Sequence, residues 1–210
     1  LILNTIIILY FYKKYKYEGL YISILMLSII LTIVSQKQIE VFNLELNLGF
    51  IQSSLIIIIS NILIQNKGPK EISKIIAIII ISTVSVYTLT MLTTFITTSS
   101  IQQVSNDAYN SLFYLNNRIF FATIISLLIA IYINSILYHQ IRQDKNKIII
   151  SNSLSQIVTN LVESIIFALI SYTFKLNILF IIEIIMIRYL FKLSIGLLST
   201  STIYIVDKMK

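Results

Sequence analysis

Four polar side chains recur at regular intervals in the otherwise apolar stretch 148–173. Asn152, Gln156, Asn160 and Glu163 are separated by four, four and three residues, which places them along one face of an α-helix. Together they offer the hydrogen-bond donors and acceptors that a polar ligand needs. The surrounding residues are apolar enough to lie in lipid, where burying each polar group costs a few kcal/mol. The stripe is therefore a candidate binding site.

Three charged residues lie well inside apolar segments, where a long side chain cannot easily reach water. They are Glu163 in 148–173 and the pair Arg188 and Lys192 in 178–206. The two cations are four residues apart and share one helix face. Since unpaired charges at membrane depth are costly, we expect both cations to face the bundle interior and to approach Glu163. A purely structural ion pair is the alternative to a ligand site.

A second ridge of small and polar residues steps by four through 118–139, and it consists of Arg118, Ala122, Ser126, Ala130, Asn134 and Tyr138. Such ridges most often let membrane helices pack closely, and this interpretation suits Ser126 and Ala130. Asn134 remains open between packing and ligand binding. Arg118 begins its span, so it either extends toward the headgroups or takes part in an ion pair or gate.

The composition is that of a polytopic membrane protein. Of 210 residues, 57% are hydrophobic and only 12% are charged, and the mean hydropathy is +0.88; soluble domains carry about a quarter charged residues. With no Cys and one His, thiolate metal sites, disulfides and multi-histidine sites are excluded. We found no nucleophile elbow, phosphate-binding glycine loop or nucleotide-hydrolysing motif. The sequence therefore predicts no metal, no cofactor and no enzyme activity.

Apolar segments of about 20 residues, each bounded by polar or charged residues, predict an all-α bundle of six transmembrane helices. The predicted helices are 18–36, 48–65, 74–98, 118–139, 148–173 and 178–206. Residues 18–210 form a single transmembrane domain in this interpretation. The opening segment 1–17 is too short to cross and too apolar for water, so we expect an interfacial segment or a remnant of upstream sequence.

The distribution of Lys and Arg predicts the orientation of the bundle. With the N-terminus inside, eleven basic residues fall on the inner side and three on the outer side, which favours this orientation because basic loops stay cytoplasmic. The inner residues are Lys13, Lys14, Lys16, Lys67, Lys70, Lys74, Arg142, Lys145, Lys147, Lys208 and Lys210; the outer ones are Lys37, Arg118 and Lys175. Both termini are then cytoplasmic, and the net charge of +7 reflects topology rather than nucleic-acid binding.

The order of motifs resembles the queuosine precursor transporters, the VUT or YhhQ family of six-helix bacterial inner-membrane proteins, from about Tyr17 to Lys208. "NRIFFATIISLLIAIYINSILYHQIRQDKNK" resembles the family helix that opens with Ala/Pro-Arg-Ile and ends in a basic cytoplasmic loop. "SNSLSQIVTNLVESIIFALISY" is similar to the next helix, and "RYLFKLSIGLLSTSTIYIVDKMK" to the last. Several positions depart from the family pattern. Asn61 and Glu163 replace Asp, Thr159 replaces Gly, Ser35-Gln36 replaces Ser-Asn or Ala-Asn, and Arg188 stands where Gln or Asp is usual.

The resemblance implies a multi-pass transporter in the bacterial inner membrane that imports 7-deazaguanine bases, namely queuine or its 7-aminomethyl or 7-cyano precursors, for queuosine modification of tRNA. It implies that Glu163 and Asn160 recognise the base edge. Gln156, Asn134 and Gln36 would line the cavity, with Lys192 favouring the ionised form of Glu163. The implied partners are the base and the lipid bilayer, and a homo-oligomer is compatible with this. A transporter of another small polar solute, or a non-transport scaffold subunit, stays open.

Overall fold

The computed structural model describes residues 1–41, 44–96, 105, 107, 116–142 and 148–209. In this part of the chain it contains six long helices and one short β-hairpin. The helices are α1 (Ile2–Val34), α2 (Phe50–Lys67), α3 (Glu71–Thr94), α4 (Asn117–Ile141), α5 (Ile148–Tyr172) and α6 (Ile178–Lys208). The predicted all-α helical bundle is thus confirmed. The last two residues of the predicted helix 74–98 lie outside the described residues.

Five of the helices are long and apolar enough to cross a membrane, and they are α1 to α5. The sixth, α6, has 31 residues but carries Glu183, Arg188 and Lys192 along its first half. Two of these charges are buried inside the bundle, with Arg188 1% exposed and Lys192 fully buried. Arg188 and Lys192 therefore point inward, as expected for a membrane helix that keeps these ionisable groups away from lipid, whereas Glu183 is exposed.

Helix α1 consists of two halves that meet at Lys16, whose backbone is not helical (φ 52°, ψ −129°). Gly19 follows the break, and a Cβ at this position would overlap the backbone carbonyl of Phe11. The N-terminal half buries Ile8 and Tyr12 in the main hydrophobic core. The segment 1–17 is therefore helical and packs against the bundle through one face.

A two-stranded antiparallel hairpin connects α1 to α2, formed by β1 (Gln38–Val41) and β2 (Leu44–Asn47). Gln38 pairs with Asn47 at its open end. This hairpin was not predicted from the sequence, because its strands have only four residues each and lie between two predicted helices. The hairpin lies beside the candidate site, since Gln38 contacts α5 and Asn47 contacts α6.

The bundle is arranged so that α5 lies between α4 and α6, while α2 contacts α1, α4 and α6. The ridge on α4 explains the close fit of α4 and α5. Ala122, Ser126, Ala130 and Asn134 are all fully buried, and small side chains at spacings of four let two helices approach closely. The polar face of α5 is therefore enclosed by α2, α4 and α6.

Candidate functional site

The polar stripe of α5 is buried along its whole length. Asn152 and Glu163 are fully buried, Asn160 is 1% exposed and Gln156 is 3% exposed. Because each of these groups loses its hydration on burial, each needs a partner inside the protein or in a ligand. Asn152 and Gln156 belong to one group of interacting side chains, Glu163 belongs to a second group, and Asn160 belongs to neither.

The first group is an amide network that joins four helices. Asn152 Oδ1 accepts from Asn61 Nδ2 (2.8 Å) and from Gln156 Nε2 (3.1 Å), and its Nδ2 donates to Thr200 Oγ1 (2.9 Å). Asn134 Nδ2 donates to Asn61 Oδ1. These bonds link α2, α4, α5 and α6, so the network stabilises the relative positions of the helices.

The second group is a charged cluster around Glu163. Lys192 Nζ contacts Glu163 Oε1 directly, and Arg188 Nη2 lies 3.7 Å from the same oxygen. Lys192 also donates to Ser53 Oγ at 2.8 Å, and Arg188 Nη1 donates to Asn47 Oδ1 in the hairpin. The expected approach of both cations to the carboxylate is present in the structure.

The Arg188 guanidinium also lies over an aromatic ring, with its central carbon 3.7 Å from the centroid of Phe167. A cation over a ring face is attracted by the ring quadrupole, most strongly where water is excluded. Phe167 is 1% exposed, so this condition is met. The ring therefore holds the guanidinium beside Glu163.

Asn160 lies between the two groups and joins neither. Neither its amide nitrogen nor its amide oxygen has a hydrogen-bond partner among the described residues, and the same is true of Glu163 Oε2. An unsatisfied buried polar group costs about 1–3 kcal/mol. Three such atoms within one turn of α5 are the groups that a bound polar molecule would satisfy.

Gly196 on α6 makes room for this arrangement. A Cβ at Gly196 would overlap Gln156 Oε1 and would lie 3.6 Å from Asn160 Nδ2. The atom that a Cβ would meet is the end of the Gln156 side chain, so a larger residue at 196 would displace that amide from its place beside Asn160.

Two predicted site residues lie away from Glu163. Gln36 Oε1 accepts from the backbone N–H of Asn116 at 2.8 Å. Arg118 donates to the backbone carbonyls of Ile170 and Thr173, so it caps the last turn of α5, where orphan carbonyls favour a cation. Both residues lie where the ends of α1 and α5 meet the start of α4.

A cleft of about 380 Å³ opens at this end of the bundle. Its residues come from β1, α4, α5, α6 and their connections: Gln38, Asn116, Arg118, Ile119, Ser171, Tyr172, Lys175, Leu176, Phe180 and Ile184. Ser171 Oγ is buried without a hydrogen-bond partner among the described residues. The Tyr172 hydroxyl accepts from Gln38 Nε2 at 3.3 Å. The cleft is a polar opening that is separate from the buried Glu163 cluster.

Several residues of the site were not identified from the sequence. Ser53, Asn61 and Gln65 lie on one face of α2 at spacings of eight and four, and this periodicity is a signal that could have revealed Ser53. Asn47 belongs to the unpredicted hairpin and had no such signal. Within the described ranges, no group of three His, Asp or Glu side chains is placed so that it could bind a metal ion.

The comparisons with known proteins agree with a transport protein. The model of a family described as "Putative vitamin uptake transporter" matches residues 47–206, which contain Asn47 at the end of the hairpin, α2 to α5 and nearly all of α6. No curated protein matches the chain significantly. No solved structure does so either. Because the family model covers most of the chain and contains the whole polar site, this multi-pass membrane protein belongs to the vitamin uptake transporter family.

Proposed function

We propose that the protein imports 7-deazaguanine precursors of queuosine across the bacterial inner membrane, for use in tRNA modification. The observation that carries this proposal is the set of unsatisfied atoms on α5, namely both amide atoms of Asn160 and Glu163 Oε2. They are buried, adjacent and of mixed donor and acceptor character. A ligand that fits them needs at least two donors and one acceptor along one edge.

A 7-deazaguanine base has such an edge. Its N1–H and 2-amino group lie side by side and match a carboxylate, while O6 is an acceptor for the amide N–H of Asn160. Glu163 Oε1 is held by Lys192, which leaves Oε2 free and fixes the orientation of the carboxylate. Bonds to an ionised acceptor are the strong ones, and an analogue without the donors would leave Glu163 unsatisfied.

A transporter of another small polar solute is the second candidate, and the buried guanidinium of Arg188 favours it. Arg188 Nε has no hydrogen-bond partner in the described part of the chain, so the site has donors as well as acceptors to offer. A carboxylate-bearing solute would use such donors. A scaffold subunit without transport activity would need neither the free amide of Asn160 nor the free carboxylate oxygen.

The test is uptake of labelled queuine and of its 7-cyano and 7-aminomethyl precursors into a strain that lacks its own importer. The proposal is supported if guanine-type bases compete with this uptake and bases without the 2-amino group do not. Absence of uptake and of binding to the purified protein, for all three bases, would refute it. Uptake of an unrelated solute at the same site would favour the second candidate.

The role of the carboxylate is tested with Glu163→Gln and Glu163→Asp, with uptake normalised to folded protein. Gln replaces one acceptor oxygen by a donor that faces the N–H groups of the base. We therefore expect the binding free energy to weaken by about 1.5–3 kcal/mol, which lowers the apparent affinity roughly 10- to 150-fold. Asp keeps both oxygens and should retain most uptake. Glu183→Gln is the matched control, because Glu183 is an exposed carboxylate on α6. Wild-type transport by Glu163→Gln would favour a packing role for the stripe.

A further inference from the structure

The cleft at the hairpin end of the bundle is lined by two cations, Arg118 at the start of α4 and Lys175 after the end of α5. No carboxylate among the described residues lines it. Lys175 is exposed and forms no ion pair within the described part of the chain. The described side chains therefore give the cleft a positive charge that attracts anions.

The guanidinium of Arg118 is held in a fixed position in this cleft. Its Nε and Nη2 donate to the carbonyls of Ile170 and Thr173 at the end of α5. These two bonds satisfy carbonyl groups whose partial negative charge would otherwise repel an anion. Nη1 makes no bond to a described residue, so its N–H groups remain for a ligand.

Ser171 adds a hydroxyl to the same cleft. The residue is 3% exposed, and its Oγ has no hydrogen-bond partner among the described residues. A buried hydroxyl without a partner is stabilised by an acceptor that reaches it. The first turns of α4 and α6 also line the cleft, and the positive ends of their dipoles favour negative charge. Donors and positive charge together suit an anion with several oxygen acceptors, such as a phosphate.

The rest of the cleft is apolar. Ile119 and Ile184 are buried, whereas Leu176 and Phe180 are 42% and 52% exposed. A hydrated ion gains nothing from such a surface, but an acyl chain packs against it. The cleft also lies at the end of membrane-spanning helices, which is the depth of phospholipid headgroups. The apolar surface and this depth favour a phosphate that belongs to a lipid.

We infer that this cleft is a binding site for the headgroup of an anionic phospholipid. The phosphate contacts Arg118, Ser171 and Lys175. The acyl chain lies along Leu176 and Phe180. Such a lipid joins the start of α4, the end of α5 and the start of α6, so it stabilises the folded bundle. The site is separate from Glu163 and does not depend on which solute the protein transports.

The experiment measures the melting temperature of the purified protein in an uncharged detergent at constant ionic strength. The protein is titrated with dihexanoyl phosphatidylglycerol, with dihexanoyl phosphatidylcholine or with inorganic phosphate. We expect the anionic lipid to raise the melting temperature with an apparent affinity about fivefold or more above that of the zwitterionic lipid, because its net charge is negative. Inorganic phosphate, which cannot use the apolar surface, should be weaker than the anionic lipid.

Equal responses to the two lipids would overturn the inference. They would mean that the two cations only extend toward the headgroups, as basic side chains at helix ends often do. A response to inorganic phosphate as strong as that to the anionic lipid would also overturn it, since the apolar surface would then contribute nothing. None of these measurements uses uptake, so failure of the proposed function is recognised separately.

Substitutions assign the binding to the cleft. Lys175→Gln should weaken the apparent affinity for the anionic lipid about fivefold, and Ser171→Ala should weaken it about threefold. Lys37→Gln is the matched control, because Lys37 is an exposed lysine beside the hairpin that does not line the cleft. An equal loss in Lys37→Gln, or no loss in Lys175→Gln, would contradict the assignment. Arg118 is left unchanged because it also caps α5.

Discussion

Asn152 and Asn160 lie two turns apart on the same face of α5, yet Asn152 bonds to three side chains and Asn160 to none that the structure describes. Both are almost completely buried. The same residue type in the same helix therefore has two different roles. Asn152 connects helices, whereas Asn160 has donors and an acceptor that no described residue uses.

This difference predicts opposite effects for the same substitution. Asn160→Leu removes an unsatisfied buried amide, so thermal stability should stay equal or rise while uptake falls strongly. Asn152→Leu breaks three bonds, each worth about 0.6–2 kcal/mol in a membrane protein, so it should lower the melting temperature. Melting curves and uptake of the purified, reconstituted variants check this. A fall in stability for Asn160→Leu equal to that for Asn152→Leu would mean that Asn160 also supports the bundle.

The charged cluster predicts an order of stability among three variants. Glu163→Gln leaves two buried cations without a counter-ion. It should be the least stable variant, with a free energy of unfolding about 3 kcal/mol below that of the wild type. Adding Lys192→Met removes one of those cations and should recover part of the loss. Lys192→Met alone keeps the pair between Glu163 and Arg188 and should be the mildest change. Thermal unfolding in detergent measures the order, and a double variant no more stable than Glu163→Gln would contradict the ion-pair account.

Close packing at Gly196 predicts that one methyl group displaces the Gln156 side chain. Gly196→Ala should therefore break the bond from Gln156 to Asn152, lower the free energy of unfolding by about 1 kcal/mol and reduce uptake. Ser194→Ala, two residues earlier on the exposed side of α6, is the control and should change neither stability nor uptake. Wild-type behaviour of Gly196→Ala would show that the helices are not tightly packed here.

The distribution of basic residues predicts that Lys70 faces the cytoplasm and Lys175 the opposite side. Both are exposed and lie in different connections of the bundle, and the chain has no Cys of its own. A membrane-impermeant thiol reagent added to intact cells should therefore label Lys175→Cys but not Lys70→Cys. The reverse pattern would invert the topology.

The sequence predicted the helical class and the polar face of α5 because both depend on local periodicity. Hydropathy over 20 residues marks a membrane helix, and spacings of three and four residues define its faces. The approach of Arg188 and Lys192 to Glu163 followed from the cost of unpaired charge in lipid. These predictions needed no knowledge of which helices are neighbours.

The partners of each polar group could not be predicted in this way. Asn152 and Asn160 look equivalent on α5, and only the position of Asn61 on α2 and Thr200 on α6 separates them. Gln36 was expected in the cavity but contacts the start of α4, since its location depends on the hairpin that follows α1. Tertiary contacts of this kind are set by the packing of whole helices.

The complete burial of Glu163 has a consequence for the transport cycle. Under the proposed function, in which Glu163 binds the substrate, the complete enclosure of its carboxylate makes the conformation described here an occluded one, and alternating access requires helices to separate. The hairpin holds one such boundary, because Gln38 bonds to Tyr172 of α5 and its strand partner Asn47 accepts from Arg188 of α6. Two side-chain hydrogen bonds connect this small element to both helices, and in the proposed transport cycle both would have to break for the hairpin to move away from α5 and α6.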